Sequence, residues 1–292
     1  MPTLADILTM LPELYLVASI CVLLLIDVFL PKERRDVTHY LAIVIALVAI
    51  WLVFGNAAHG TLTAFGGMYV SDGMATILKV FILLAAILVM VFGRPYLKQR
   101  NLQVGEFYVL VLFASVGGML LASAGSLITV YLGLQLLALC SYTLVALNRE
   151  SPLSSEAAMK YFVLSALASG LLLYGMSMIY GATGTLDLGQ IAGIIPNAAH
   201  PNLLLFGMVF MLVGITFELG VAPFHMWLPD VYEGAPTAVT NFIGSVSKLA
   251  AFGLAVRLLE YGLHPLVTDW QAILAALATV SLILGNVVAI AQ

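Results

Sequence analysis

Two ionisable residues lie inside long apolar segments of the sequence, where a charge is costly. Glu218 follows the run LLLFGMVFMLVGITF, and Lys248 lies within TAVTNFIGSVSKLAAFG. On membrane-insertion scales an ionisable side chain at the centre of a spanning helix costs about 2.5–3.5 kcal/mol. Each of the two residues is therefore a candidate for proton transfer through a membrane.

Polar residues recur at helical spacing on two of the apolar segments. Such stripes can hold waters along which protons move. They can equally serve as interhelical hydrogen bonds that hold a membrane bundle together. Both interpretations stay open for the two sets, which are Asn241, Ser245 and Lys248 on one segment and Tyr131, Gln135 and Tyr142 on the other.

The stretch PFHMWLPDVYEGAP interrupts the apolar pattern after Glu218. Pro223, Pro229 and Pro236 prevent a continuous helix, because proline lacks a backbone donor and clashes with the preceding turn. Transporters place such broken helices at ion sites. A histidine side chain suits a proton shuttle, and His225 in this stretch is a candidate for that role. The alternative is a histidine hydrogen-bonded to the backbone at a kink.

Most of the other ionisable residues are expected to be structural. We predict that Lys79 reaches toward the membrane surface and that Glu13 and Asp27 are solvated at the ends of the first span. Glu106 suits a helix N-terminus, and Arg257 is expected to pair with Glu260. Asp230 and Glu233 are placed in a hydrated connection outside the relay. Lys160, just inside the sixth span, is by contrast a secondary candidate for the proton relay.

The composition indicates the elements that must position these residues. Only 9% of the 292 residues are charged, against about 25% in soluble domains. Only helices satisfy their own backbone groups in lipid, so the prediction is an all-α, polytopic transmembrane helical bundle. The alternating segments of a transmembrane barrel do not occur, and no basic tract favours nucleic acid. The nine predicted spans are 11–30, 40–56, 73–93, 105–123, 126–147, 157–180, 203–222, 237–259 and 271–291.

The connections differ in basic residues, which predicts the orientation. Those after spans one, three and five are basic, whereas the N-terminal tail and those after spans two, four and six contain no Lys or Arg. Basic loops face the cytoplasm, so the N-terminus is predicted to face outward. The basic residues are Lys32, Arg34 and Arg35, then Arg94, Lys98 and Arg100, then Arg149.

Further patterns concern the two cysteines and the chain ends. Cys21 and Cys140 form no metal-ligand or disulfide pattern, and packing roles are expected for both. The first apolar run is predicted to be a retained anchor, because no Lys or Arg precedes it and PKERR follows it. The final stretch, LGNVVAIAQ, ends within an apolar run, so the chain is expected to be cut short.

The motif P-F-H-x-W-x-P-D-V-Y-x-G-A-P-T resembles the antiporter-like membrane subunits of respiratory complex I. The stretches GEFYVLVLFASVGGMLLASAGSLITVYLGLQLL and SSEAAMKYFVLSALASGLLLYGMSMIYG extend the resemblance over essentially the whole chain. It implies inverted five-helix repeats, each with a broken helix, that form a proton path in a bacterial inner membrane. It also implies that the partners are other membrane subunits of the complex. FMN, iron–sulfur clusters and quinone are expected in other subunits, and no cofactor or metal in this chain.

The resemblance implies three parts, which are 1–104 with three N-terminal transmembrane helices, 105–260 with a five-helix repeat that has its broken helix near 218–236, and 261–292 with the start of a second repeat. The chain departs from the family pattern where Gln135 replaces a Glu, where Glu218 replaces a Lys, and where the rest of the second repeat is missing; Lys248 is kept. We interpret the first two departures as relocation of the acid. Glu218 and Lys248 are then predicted to be the one titrating pair, with Gln135 as a neutral bridge.

Three functions follow from this sequence. The first is a proton-translocating subunit of an NADH:quinone oxidoreductase. The second is a subunit of a multisubunit cation/proton antiporter. The third is a spacer that docks neighbouring subunits and conducts nothing.

Overall fold

The structure is a computed structural model that describes residues 3–31, 36–58, 60–102 and 105–291. Within these residues nine helices are long and apolar enough to cross a membrane, as predicted. The elements are α1 (Leu4–Thr9), α2 (Leu11–Phe29), α3 (Asp36–Ala57), β1 (Leu62–Ala64), β2 (Tyr69–Ser71), α4 (Gly73–Gln99), α5 (Gly105–Ala122), α6 (Leu127–Val145), α7 (Pro152–Thr183), α8 (Leu188–Ile194), α9 (Pro201–Leu219), α10 (Trp227–Gly234), α11 (Thr237–Gly262) and α12 (Val267–Ala291).

Short polar residues at helix starts set where the spans begin. The Asp72 carboxylate accepts a hydrogen bond from the Ala75 N–H and caps α4 at 2.8 Å. Ser126 and Ser151 cap α6 and α7 in the same way. Each cap satisfies a backbone donor that the helix leaves without a partner.

The connections gather alternately at two ends of the bundle. One end, here called the hairpin end, holds the antiparallel pair β1–β2, in which Leu62 pairs with Ser71. There the Val70 N–H donates to the Ser123 carbonyl at 2.8 Å, and the Leu127 N–H donates to the Leu186 carbonyl at 2.9 Å.

The opposite end carries the start of α7 and the helix α10. The Ser154 hydroxyl donates to the Gly234 carbonyl at 2.7 Å. This grouping agrees with the predicted alternation of basic and non-basic connections. Lys32, Arg34 and Arg35 lie outside the described residues, and which end faces the cytoplasm stays a prediction.

Helix pairs approach closely where glycines face each other. A Cβ at Gly117 of α5 would lie 2.8 Å from the Gly133 carbonyl of α6, and one at Gly175 of α7 would lie 2.6 Å from the Gly207 carbonyl of α9. Small residues at such crossings let the backbones of membrane helices touch. The close packing of α7 against α9 therefore fixes the position of the residues that follow α9.

Several expectations about the ionisable residues are wrong. Glu13, Asp27 and Lys79 are buried, with exposed fractions of 0, 7 and 2%. Lys79 pairs with Glu13 at 2.8 Å and does not reach toward the surface. The Thr38 hydroxyl donates to Asp27 at 2.6 Å. Their partners come from other helices, so local sequence position does not reveal the burial.

The expected pairing of Arg257 with Glu260 is also wrong. Arg257 contacts Asp72 at 2.8 Å, and Glu260 lies 3.3 Å from His264 at the surface. The residues Val256–Gly262 form a π-helix, which changes the spacing of neighbouring side chains in this turn. Glu106 is exposed in the first turn of α5, as expected.

Candidate functional site

The break in the α9–α10 segment is the structural centre of the site. Helix α9 ends at Leu219, and Gly220 takes the left-handed conformation that ends the helix, with φ 75°. Pro223 follows in a cis peptide bond and bars continuation of the helix. The break packs beside Leu164 and Ala168, well inside α7, so backbone groups at the end of α9 lie within the bundle. The prolines predicted the break, but the residue that ends α9 is Gly220.

Two side chains bind the carbonyls at the end of α9. The Lys248 ammonium donates to the Glu218 backbone carbonyl at 2.9 Å, and the Trp227 indole N–H donates to the Phe217 carbonyl at 3.1 Å. A helix C-terminus carries a partial negative charge and carbonyls without helical partners, so a cation there is favourable. Lys248 thus acts as a charged cap on the half-helix.

Trp227 ties the break to its neighbours. Its ring stacks on Tyr161 with centroids 4.5 Å apart and on Phe217 at 5.4 Å. The Lys248 nitrogen lies 5.0 Å from the centre of the same ring, which is within cation–π distance. Trp227 was not identified as a site residue from the sequence, although it lies in the motif P-F-H-x-W.

Glu218 is buried, with 5% of its surface exposed. Its carboxylate forms no ion pair within 4.0 Å and no hydrogen bond among the described residues, so the contact between Glu218 and Lys248 runs through the backbone. Tyr142 and Tyr161 lie close enough to interact with this carboxylate electrostatically. The carboxylate also interacts electrostatically with Lys248, so the two charges lie near each other without forming a direct ion pair.

The polar stripe of α6 provides contacts within the helix and across to α7. The Gln135 amide donates to the Tyr131 hydroxyl at 2.7 Å, one turn earlier on the same helix. The Tyr142 hydroxyl donates to the Ser165 hydroxyl of α7. Tyr161 and Ser165 were missed in the sequence because their importance depends on which face of the long helix α7 meets Glu218 and Tyr142.

The stripe predicted on α11 is less regular than its spacing indicates. The residues Ile243–Ser247 form a π-helix directly before Lys248. The Ser245 hydroxyl donates to the Asn241 carbonyl at 2.6 Å, and the Asn241 side chain is exposed. The wider turn rotates Lys248 relative to Asn241, so the three residues do not share one face as an ideal helix would require.

His225 lies on the side of the break that faces α12. Its Nδ1 atom is buried and has no hydrogen-bond partner within the described part of the chain. The backbone hydrogen bond considered as the alternative role is thus absent at this atom. An open cleft of about 490 Å³ lies beside it and is lined by Gly220 and Ser281. The Ser281 hydroxyl also accepts from the Ala222 N–H at 3.0 Å, so α12 contacts the break directly.

Lys160 forms an exposed cluster at the opposite end from the hairpin. Its ammonium lies 2.8 Å from Asp230 and 3.0 Å from Glu156, and its side chain is 44% exposed. Asp230 and Glu233 lie on helix α10 and not in a loop, although both retain access to solvent. The cluster joins α10 to α7. It places the exposed carboxylates of Glu156 and Asp230 near the start of α10, at what is here called the mouth of the break. No three His, Cys, Asp or Glu side chains among the described residues form a group that suits a metal ion.

A comparison with protein families follows from this geometry. The model of the NADH:quinone oxidoreductase/Mrp antiporter transmembrane family matches residues 124–292, which include the break and Lys248. The chain belongs to this family. Membership confirms the resemblance seen in the motif around the break and the predicted fold class, an all-α bundle of an antiporter-like membrane protein.

Curated relatives carry the name NADH-quinone oxidoreductase subunit N. The protein of Xanthomonas euvesicatoria pv. vesicatoria (strain 85-10) is 53% identical over 99% of this chain and 59% of its own length. The protein of Nitrosomonas europaea is 49% identical over 96% of this chain and 59% of its own length. The chain thus spans about three fifths of the length of the curated relatives it matches.

Solved structures of antiporter-like chains share this fold. A chain of respiratory complex I from Thermus thermophilus with bound aureothin has a TM-score of 0.80 and 32% identity, and the match covers 96% of this chain and 58% of that chain. A chain of the Mrp complex from Dietzia sp. DQ12-45-1b has a TM-score of 0.72 at 20% identity, covering 89% and 49%. The second likeness concerns the fold alone.

Proposed function

We propose that the chain is part of a proton-translocating membrane-arm subunit of an NADH:quinone oxidoreductase. Proton transfer here would be coupled to quinone reduction in other subunits, with no redox chemistry in this chain. The observation that carries the proposal is the Lys248 ammonium bound to the Glu218 carbonyl in the last turn of the broken helix α9. The Lys248 side chain can leave this carbonyl when it loses its proton and return when it gains one. The C-terminal end of α9 carries a fixed partial negative charge, which favours the charged form of Lys248.

The buried carboxyl of Glu218 is the second element of the proposed relay. The backbone carbonyl of this residue binds Lys248, whereas its carboxylate has no hydrogen-bond partner among the described residues, so protonation of the carboxylate does not remove the acceptor that Lys248 uses. Tyr142 and Tyr161 are its neighbours. A proton on Glu218 and a proton on Lys248 can then alternate, because each buried charge favours the ionised form of the other.

Gln135 and His225 are assigned flanking roles. Gln135 with Tyr131 would support a hydrogen-bonded water path on the α6 side of the site. His225, whose buried Nδ1 atom has no hydrogen-bond partner among the residues that the structure describes, would pass protons toward α12. Lys160 and its carboxylate partners would collect protons at the mouth of the break. Secondary members of the relay are Tyr131, Tyr142, Asn241 and Ser245.

The setting of the subunit is part of the same proposal. The membrane is a bacterial inner membrane, the N-terminus faces outward, and the partners are other membrane subunits of the complex. FMN, iron–sulfur clusters and quinone belong to those other subunits. The proposed parts are three N-terminal transmembrane helices in 1–104, a five-helix repeat with its broken helix in 105–260, and the start of a second repeat in 261–292.

Exchange of sodium or potassium for protons is the second candidate function, because the family that matches also includes Mrp antiporters. Inverted membrane vesicles that contain the full-length subunit in its assembled complex distinguish the two. Addition of NADH should drive proton uptake at the same rate with sodium, potassium or choline as the only cation. Proton uptake that requires sodium or potassium would favour the antiporter. Absence of any change in proton uptake when Lys248 is replaced would favour the spacer.

A further inference from the structure

A second buried charged network lies at the hairpin end, away from Lys248. The Lys79 ammonium is 2.8 Å from a Glu13 carboxylate oxygen and donates to the Tyr69 hydroxyl at 2.6 Å. The Tyr69 hydroxyl in turn donates to Glu13 at 2.8 Å. All three side chains are at most 2% exposed. The three groups come from α2, β2 and α4, so the network joins the N-terminal helices to one another.

An ion pair extends this network to α11. Arg257 is 1% exposed, and its Nη2 atom lies 2.8 Å from Asp72. Its Nε–H donates to the Ala122 carbonyl at 2.8 Å. Arg257 is also near enough to Tyr69 to interact with it electrostatically. The region thus holds two carboxylates and two cations, so its formal charges cancel, and little of it is exposed to solvent. The four residues are Glu13, Asp72, Lys79 and Arg257.

The contacts of Arg257 parallel those of Lys248. Ala122 is the last residue of α5, just as Glu218 lies in the last turn of α9. Helix α11 therefore carries two cations, and each binds a carbonyl at the C-terminal end of a different helix. Cations are favourable at such ends.

The Lys248 and Arg257 side chains also project from opposite faces of α11. Arg257 follows Lys248 by nine residues, which is about two and a half turns of a helix. Lys248 points to α9, whereas Arg257 points to α5 and the start of α4. A helix held on opposite faces at two heights has little freedom to rotate. The π-helical residues Ile243–Ser247 and Val256–Gly262 lie beside the two cations and set the angle between them.

We propose that Arg257 and Asp72 are positioning residues that hold the rotation of α11 and keep Lys248 at the Glu218 carbonyl. Glu13, Tyr69 and Lys79 support this pair by fixing the hairpin and α4 that present Asp72. The proposal gives a role to the N-terminal helices, since Glu13, Asp72 and Lys79 all precede residue 124, where the family match begins. Buried ion pairs contribute little net stability but can specify one arrangement, which is the use assigned to them here.

The test measures the position of Lys248 directly. A structure of the full-length subunit in its complex with Arg257→Gln should show the Lys248 nitrogen beyond about 3.5 Å from the Glu218 carbonyl, outside hydrogen-bond distance. Proton uptake per NADH oxidised should fall in the same variant. An unchanged Lys248 contact in that structure would overturn the proposal. This readout does not depend on proton translocation, so a wild-type complex that pumps no protons would contradict the proposed function and leave this inference standing.

Matched variants separate positioning from general damage. Glu260→Gln removes a charge from the same π-helical segment, but Glu260 is exposed, so the Lys248 contact and proton uptake should stay at the wild-type level. If Arg257→Gln fails to assemble, Asp72→Asn and Arg257→Lys keep the size or the charge of the pair. Arg257→Lys should retain more proton uptake than Asp72→Asn, because it keeps the cation beside Asp72. Wild-type proton uptake in both milder variants would contradict the proposal.

Discussion

The Lys248 ammonium donates a hydrogen bond to the backbone carbonyl of Glu218, while the carboxylate of the same residue forms no ion pair with it within 4.0 Å. The sequence predicted a direct pair of side chains at these positions. The observed contact has a different consequence, because a backbone acceptor cannot be protonated and stays in place. The acceptor for the cation at the end of α9 is therefore present whether or not Glu218 holds a proton.

Replacement of Lys248 by alanine is expected to abolish proton uptake while assembly survives. The change removes a cation and its hydrogen bond from a half-buried position, but the Trp227 contacts that close the break remain. The measurement is NADH-driven proton uptake in inverted vesicles, with the amount of assembled complex determined in parallel. Lys248→Arg keeps the charge and should retain part of the uptake. Full uptake in the alanine variant would contradict a relay through Lys248.

Replacement of Glu218 by glutamine should stop proton uptake without moving Lys248. The acceptor of the Lys248 hydrogen bond is a backbone oxygen, which the substitution leaves unchanged. Loss of the buried carboxyl removes one titrating group and leaves the shape of the side chain. A structure of the variant should show the same contact, and vesicle measurements should show the loss of uptake. If Lys248 leaves the carbonyl in this variant, the separation of the two roles is wrong.

A second buried acid on α6 is expected to disturb the coupling. Gln135→Glu places a carboxylate beside Tyr131, in the same part of the bundle as Glu218. Two nearby carboxylates cannot both ionise easily in a low-dielectric interior, so one of them should hold its proton. We expect a changed number of protons taken up per NADH oxidised. Tyr131→Phe removes the hydrogen bond but adds no charge, and serves as the control. An unchanged proton number in the Glu variant would leave Gln135 with a packing role.

The spans and the broken helix could be predicted because both depend on local sequence. Apolar runs of bilayer length gave the nine spans, and Pro223 with its neighbours gave the interruption. The contacts of Lys248 could not be predicted in the same way. Its acceptor is a carbonyl on another helix, and the π-helical residues before it change the rotation that an ideal period would give.

The burial of the other charged residues could not be predicted from the sequence either, for a related reason. Glu13 and Lys79 lie near the ends of their helices, where solvation is the usual expectation, yet the hairpin β1–β2 and the turn after α5 cover them. Arg257 has a nearer acidic neighbour in sequence, but Asp72 is brought to it by a distant part of the fold. Pairings between remote segments carry no signal in a single sequence.

Trp227 is expected to contribute to the stability of the break through two separable interactions. Trp227→Phe keeps an aromatic ring against Tyr161 and removes the indole donor to the Phe217 carbonyl. The Phe217 carbonyl keeps the Gly220 N–H as a donor at 3.0 Å, so loss of the indole hydrogen bond should cost about 0.5–1.5 kcal/mol. Trp227→Ala also removes the stacking and leaves a cavity, with a cost of about 3–5 kcal/mol. Thermal denaturation of the purified complex should rank wild type above the Phe variant and the Phe variant above the Ala variant. Equal midpoints for the two variants would show that the stacking contributes nothing.

The Glu13–Lys79 pair should be harmful to break and much less harmful to remove completely. Glu13→Gln alone leaves the Lys79 ammonium buried without its counter-ion, at a cost of about 3–5 kcal/mol. Replacing Glu13, Lys79 and Tyr69 together by Met, Met and Phe removes both charges and the hydroxyl that would otherwise lack partners, so most of the loss should be recovered. The measurement is again the thermal midpoint of the assembled complex. Lys160→Met is the matched control, because Lys160 also pairs with two carboxylates but is exposed to solvent, and its loss should shift the midpoint far less. A triple variant as unstable as Glu13→Gln would mean that the region needs these charges for its fold and not only for the arrangement of α11.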